Sequence, residues 1–297
     1  MIKQFPKFSR LAIEQRHEVK RITSQFEPYS DFDFTSLLCW DIDGSSEISL
    51  LNGNLVIMLP DYITGKKTYS LLGKNKIDES LKSLITKVGP LSLVPEIMIR
   101  HIKDVSAFTA KEDRDNFDYI YELKSLVEFP GKKYKVKRNK NHNFMSHYQD
   151  KLSLRNIQFG NAEDRAAAEQ VFVEWAEERD RKKEDIANEA AAIGRALAYA
   201  PDLKLTGILV YIDGHCVGFS INEILDSDYS ICHFQKAILA YEHLDVFISN
   251  LVAKELLHFG CKYANWEQDL GIDGLRALKT SYQHFSFLKK YNVDLVK

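Results

Sequence analysis

The sequence predicts an α+β protein whose two halves repeat one order of elements, each half built on a mostly antiparallel sheet flanked by helices. Two observations predict this. Asn52-Gly53 lies between the apolar runs EISLL and LVIML, and Asp213-Gly214 lies between GILVYI and CVGFSI. Asn-Gly and Asp-Gly accept the positive φ of the tight turns that join antiparallel strands. The elements after each hairpin are also alike: a strand, a helix, then another strand. No residue-level repeat accompanies this layout.

In the first half the run after the hairpin predicts a strand near Thr68–Leu72, a helix near Ile77–Val88 and a strand near Leu91–Pro95. Phe129-Pro130-Gly131 breaks the pattern, so the domain junction is expected there. The boundaries read as 1–129 for the first domain, 130–150 for a basic linking helix around Tyr134–Tyr148, and 151–297 for the second domain. The second domain opens with a helix over about Ala162–Arg179, with Asn161 as N-cap and Ala168, Val171, Phe172, Trp175 and Arg179 on one face. A second, alanine-rich helix over about Lys183–Ala200 is expected to stop before Pro201. After the hairpin come a strand near Tyr229–Lys236, a helix near Val246–Phe259 and a strand near Tyr263–Glu267. Asp245 is the expected cap of that helix, and Gly260 follows its end.

Composition bounds the function classes. A chain of 297 residues, 45% apolar and 28% charged, can bury two ordinary cores. Its net charge of −2 rules out attraction of the whole molecule to polyanions, so any such attraction needs a local patch. Cys39, Cys216, Cys232 and Cys261 are scattered without a CxxC pair, as in a reduced cytoplasmic protein. No apolar run approaches the length of a membrane span, and MIKQFPKFSR lacks the apolar core of a secretory signal. No P-loop, GxSxG, HExxH or dinucleotide fingerprint is present. His142 and His147 are poorly spaced for a metal, His233, His243 and His258 read as surface or core residues, and no metal site is expected.

The densest chemistry lies in NWEQDLGIDGLRALKTSY (Asn265–Tyr282), which sets Glu267 and Asp269 at a strand end before a helix carrying Arg276 and Lys279. Arg276, Lys279 and Gln283 share one face of that helix, while Leu275 and Leu278 are expected on the sheet. The bland reading stands beside this one: Asp269 caps the helix, and Arg276 forms a surface bridge to Glu267 or Asp273. A second cluster, Lys132, Lys133, Lys135, Lys137, Arg138 and Lys140, puts six cations in nine residues around Tyr134. It can track a phosphate backbone, or be a solvated helix face balanced by Glu122 and Glu128.

This segment, with FPGKKYKVKRNKNHNFMSHY (Phe129–Tyr148), DYIYELKSLVE and FTSLLCWD (Phe34–Asp41), resembles the family of phosphatidylglycerol lysyltransferase C-terminal domains and their soluble relatives. The resemblance covers nearly the whole chain. It implies tandem GNAT-like acyltransferase domains, as in the Fem-type peptidoglycan transferases, and transfer of an aminoacyl group from aminoacyl-tRNA to an amine or hydroxyl acceptor. Lys279 would face the reacting carbonyl or a phosphate, Arg276 would hold a carboxylate or phosphate, and Glu267 and Asp269 would orient the donor amine or accept a proton. Trp266 and Tyr282 would line the pocket, and Lys132, Lys133, Lys135, Lys137 and Arg138 would meet tRNA. The acceptor would be a small molecule, a peptide or a lipid headgroup.

No tightly bound cofactor is expected. Acetyl-CoA-using GNAT enzymes carry a glycine-rich phosphate loop after the fourth strand, whereas AILAYEHLDVF has no glycine there and adds Glu242 and Asp245. Aminoacyl-tRNA, the donor that the resemblance implies, is favoured over acyl-CoA. The rival readings are an acyl-CoA-dependent N-acetyltransferase and a non-catalytic binder of a small anion or RNA.

Overall fold

The computed structural model describes residues 1–60, 66–178, 183–225 and 228–296. The chain divides into two compact units. The first comprises Met1–Asp118, Gln268–Arg276 and Phe287–Lys297, and the second Tyr119–Glu267 and Ala277–Ser286. This division differs from the single junction expected at 129/130. Two strands account for the difference. The C-terminal strand Lys290–Leu295 pairs with both Leu91–Pro95 and Phe108–Glu112 in the first unit, and Asp118–Glu122 pairs with Tyr263–Asn265.

In the first unit Asn52 (φ 54°) and Gly53 (φ 80°) turn the hairpin between Glu47–Leu51 and Asn54–Pro60, and Lys67–Leu72 extends the sheet. The expected helix Ile77–Val88 and strand Leu91–Pro95 are present, and that strand opens a separate sheet. Val56, Leu71, Leu81, Leu84, Leu91, Val94, Met98 and Val293 form the core between them. One charged cluster is sealed in this unit. Lys290 is fully buried, with its ammonium 2.8 Å from Asp118 and paired with Asp31, while the Ser30 hydroxyl donates to Asp118 at 2.6 Å.

The second unit follows the order of elements expected of it. Its sheet runs Asp118–Glu122, Tyr263–Asn265, Tyr229–Ala237, His215–Ile224, Leu205–Ile212, Leu152–Asn156. All neighbours are antiparallel except Tyr229–Ala237 with Tyr263–Asn265. Asn161 caps the Ala162–Glu177 helix by accepting from the Glu163 amide, and Ala168, Val171, Phe172 and Trp175 are buried as expected; Arg179 lies outside the described residues. Helix Leu244–His258 packs against Gly218, where a Cβ would stand 2.4 Å from Ile248 Cδ1.

Four local expectations are corrected. The Lys183–Leu203 helix continues through Pro201, which gives up one i→i−4 hydrogen bond two residues before the helix ends. Asp245 lies inside its helix rather than capping it; His243, at φ 71°, stands at the cap. The strand expected to reach Glu267 ends at Asn265, since Glu267 takes φ 55°. The Asp273–Ser281 helix buries no residue, and Leu278 is 43% exposed, so its leucines do not form a sheet-facing stripe.

Candidate functional site

The second unit's two parallel strands part company after three residue pairs. Tyr229, Ser230 and Ile231 face Tyr263, Ala264 and Asn265, and there the pairing ends. Beyond it, Trp266 and Glu267 follow Tyr119: the Trp266 amide donates to the Tyr119 carbonyl at 2.9 Å, and the Tyr119 amide donates to the Glu267 carbonyl at 3.1 Å. The left-handed turn at Glu267 is held by its amide, which donates to Asn265 Oδ1 at 2.6 Å. The other strand runs on to Ala237. The place past Asn265 where the two strands are no longer paired is the candidate site.

A β-bulge shapes its other side. Ile221 pairs with Phe234 and Asn222 with Cys232, which leaves His233 as the extra residue. Bulges re-aim side chains, often beside functional sites. Here the bulge aims His233 between two acids: Nε2 is 3.4 Å from Glu223 and Nδ1 is 3.5 Å from Glu267. The side chains of Glu223 and His233 are nearly inaccessible, whereas Glu267 is 20% exposed. Sequence reasoning assigned His233 to surface or core and passed over Glu223. The available signal was the alternation of INEI against ICHF, which becomes informative only once the bulge is known.

Lys279 reaches the same segment. Its ammonium donates to the Trp266 carbonyl and lies 5.8 Å from the centre of the Tyr119 ring. Trp266, half-buried, packs on Tyr121 at 4.4 Å and Tyr282 at 5.1 Å between ring centres. Tyr282 is buried and supports the wall from behind: its carbonyl accepts from Tyr134, and its hydroxyl accepts from Ser249 at 3.3 Å. Burial first, then Asp245, holds the Tyr282 phenol well above its ordinary range, so it stays neutral. Cys232 is adjacent, but burial pushes its thiol to about 11, with Glu267 adding to the rise, so it is no thiolate nucleophile at neutral pH. Lys236, on the same strand, is clamped 2.6 Å from Glu189 and 4.0 Å from the Trp175 ring centre.

Glu267, Trp266, Lys279 and Tyr282 therefore fall in the second unit, while Asp269 and Arg276 fall in the first. There Asp269 is fully buried and shared by Arg114 at 3.0 Å and Arg276 at 2.7 Å. Its Oδ1 also accepts the Gly271 amide at 2.9 Å, across a turn in which Leu270 and Gly271 have positive φ. Arg276 pairs with Asp269 and Asp115 rather than with Glu267 or Asp273. These ion pairs hold the turn that leads into the helix.

The basic run divides. Gly131 precedes a 3-10 turn over Lys132–Tyr134 and the helix Lys135–Tyr148. Arg138 donates to the carbonyls of Phe129 and Gly131, closing the Pro-Gly turn. Lys137 is buried, with its ammonium 3.4 Å from the Tyr282 ring centre. Burial lowers it to about 8 against the opposing pull of Asp245. Lys132, Lys133 and Lys135 are exposed and Lys140 half-buried. The expected counter-ions look elsewhere: Glu122 accepts from Ser125, and Glu128 lies 3.9 Å from Lys124.

The loop after the Tyr229–Ala237 strand carries a carboxylate of its own. Glu178 accepts the amides of Leu239 at 2.5 Å and Ala240 at 3.2 Å. Among the described residues no helix is long and apolar enough to cross a membrane.

Residues 90–293 match the family described as phosphatidylglycerol lysyltransferase, C-terminal. No curated protein matches the sequence. Among solved structures, a conserved protein of unknown function from Bacteroides thetaiotaomicron aligns over 100% of both chains with TM-score 0.85 and 24% identity. L-PGS from Bacillus licheniformis aligns over 99% of this chain and 93% of its own, with TM-score 0.61 and 14% identity. FemX aligns over 96% of both, with TM-score 0.58 and 9% identity. At such identities these structures speak for the fold.

Proposed function

The chain belongs to the phosphatidylglycerol lysyltransferase C-terminal family, and from that premise we propose that it moves an aminoacyl group from aminoacyl-tRNA to an amine or hydroxyl acceptor at the parted strands of its second unit. The observation that carries the proposal is that Glu267 and the Trp266 carbonyl that holds Lys279 both lie just past the point where the pairing of Tyr229–Ala237 with Tyr263–Asn265 ends.

In this reading no covalent enzyme intermediate is needed. Glu267 seats the ammonium group of the donor, and the acceptor attacks the ester carbonyl while its proton passes toward the departing ribose oxygen. The Lys279 ammonium faces the oxyanion, and the departing ribose oxygen takes a proton as the tetrahedral adduct collapses. Trp266 supplies an apolar face beside the ester. Lys132, Lys133, Lys135 and Lys140 would meet tRNA phosphates in this reading, whereas Lys137 and Arg138 are committed to internal contacts. Asp269 and Arg276 act on the turn before the helix and not on the substrate.

An acyl-CoA donor fits less well. The Leu239 and Ala240 amides already carry the Glu178 carboxylate, and Glu242 and Asp245 add negative charge to that loop. The test is incubation with a charged tRNA pool, scoring deacylation and new amide or ester products. Transfer dependent on charged tRNA supports the reading; transfer from acetyl-CoA alone, or none from either donor, overturns it.

A further inference from the structure

Glu267 does not stand alone at the candidate site. The three groups form a row from the core outward: Glu223 is 1% exposed, His233 2% and Glu267 20%. Each ring nitrogen of His233 faces one carboxylate, and only the doubly protonated ring can donate toward both at once. Glu223 lies on the far side of the ring, 3.4 Å from Nε2. The ring itself is held by the bulge that leaves His233 outside the strand register, and Glu267 by a left-handed turn tied to Asn265. Two separate backbone irregularities thus meet at one side-chain contact. Glu267 is the member of the row that reaches toward solvent. A partly exposed carboxylate fixed by its neighbours suits a charge-assisted hydrogen bond from a primary ammonium ion.

We propose that His233, backed by Glu223, is a positioning residue that holds the Glu267 carboxylate at the candidate site to receive the ammonium group of an aminoacyl ester. This deepens the acyl-transfer reading and rests on it for the ester, while the ammonium contact is measurable without transfer.

The experiment is a double-mutant cycle read by calorimetric titration with L-lysine methyl ester, on wild type, His233→Ala, Glu267→Gln and the double variant, each checked for native circular dichroism. Because His233 acts through Glu267, each single variant should weaken binding about tenfold and the double variant no further than Glu267→Gln alone. His233→Gln, whose amide can still donate toward Glu267, should recover part of the loss and substitutes if the alanine variant does not fold. Additive losses in the double variant, wild-type affinity in His233→Ala, or no binding of the ester by wild type overturns the proposal. Charged-tRNA turnover is scored in parallel on the same preparations. Coupled ester binding without turnover upholds the positioning role and removes the tRNA donor; turnover without coupling does the reverse. Where turnover occurs, His233→Ala should lower kcat/KM by about 100-fold, the scale of a misplaced catalytic group.

Discussion

Lys137→Met removes a charge that the structure buries against an aromatic ring. Lys137 falls from the ordinary 10.5 to about 8, chiefly through burial. At about 1.36 kcal/mol per pH unit, holding the charge costs the folded state about 3 kcal/mol. The Tyr282 ring, 3.4 Å from the ammonium, opposes this by about 2 kcal/mol if the contact is fully desolvated. The net cost therefore lies between about 1 and 3 kcal/mol. The sign follows from proton counts. Below about pH 8 both states carry the proton and the cost is present in full; between about 8 and 10.5 the unfolded chain binds more proton than the folded one, so stability rises with pH. Above that window the cost is gone. Urea unfolding of wild type and Lys137→Met at pH 7.5 and pH 10 isolates the effect, because other titrating groups cancel in the difference. Wild type should gain about 1–3 kcal/mol on the variant across the window. No gain, or a loss, would refute burial of the charge and return Lys137 to the solvated face.

Other consequences are as direct. Asp118→Ala leaves the fully buried Lys290 with Asp31 as its remaining acid, and should cost about 3 kcal/mol in chemical denaturation. Asp269→Ala releases the Gly271 amide and both arginines; hydrogen exchange at Gly271 should quicken while the global unfolding midpoint barely moves. Changing Lys132, Lys133, Lys135 and Lys140 to glutamine should weaken tRNA binding and flatten its salt dependence, by about 0.7–0.9 in the log–log slope for each phosphate no longer neutralised. An unchanged slope would remove this helix from the tRNA interface.

Much of the fold was legible because its signals are local. Asn52-Gly53 and Asp213-Gly214 dictate their turns, and the Ile77–Val88 helix and Leu91–Pro95 strand fall where periodicity places them. The pairing of Lys290–Leu295 with strands nearly 200 residues earlier carries no local mark, so the compact units were not legible from breakers alone. The site was half legible. Glu267, Trp266 and Lys279 sit in one conspicuous segment, but their neighbours Glu223 and His233 come from alternating strands whose faces depend on a bulge. Charge density also misled in one respect. Lys137 looks like its neighbours in sequence, yet its position on the Lys135–Tyr148 helix turns it inward onto Tyr282.

The central claim is that acyl transfer occurs where the second unit's strands part. Its most direct test is the rate of charged-tRNA deacylation with product formation by wild type, Lys279→Ala and Glu267→Gln, each confirmed to be folded. Removing the oxyanion-facing cation or the carboxylate that seats the donor ammonium should each lower the rate by about 100-fold or more. Folded variants that transfer at the wild-type rate would contradict the claim and move the chemistry elsewhere in the chain.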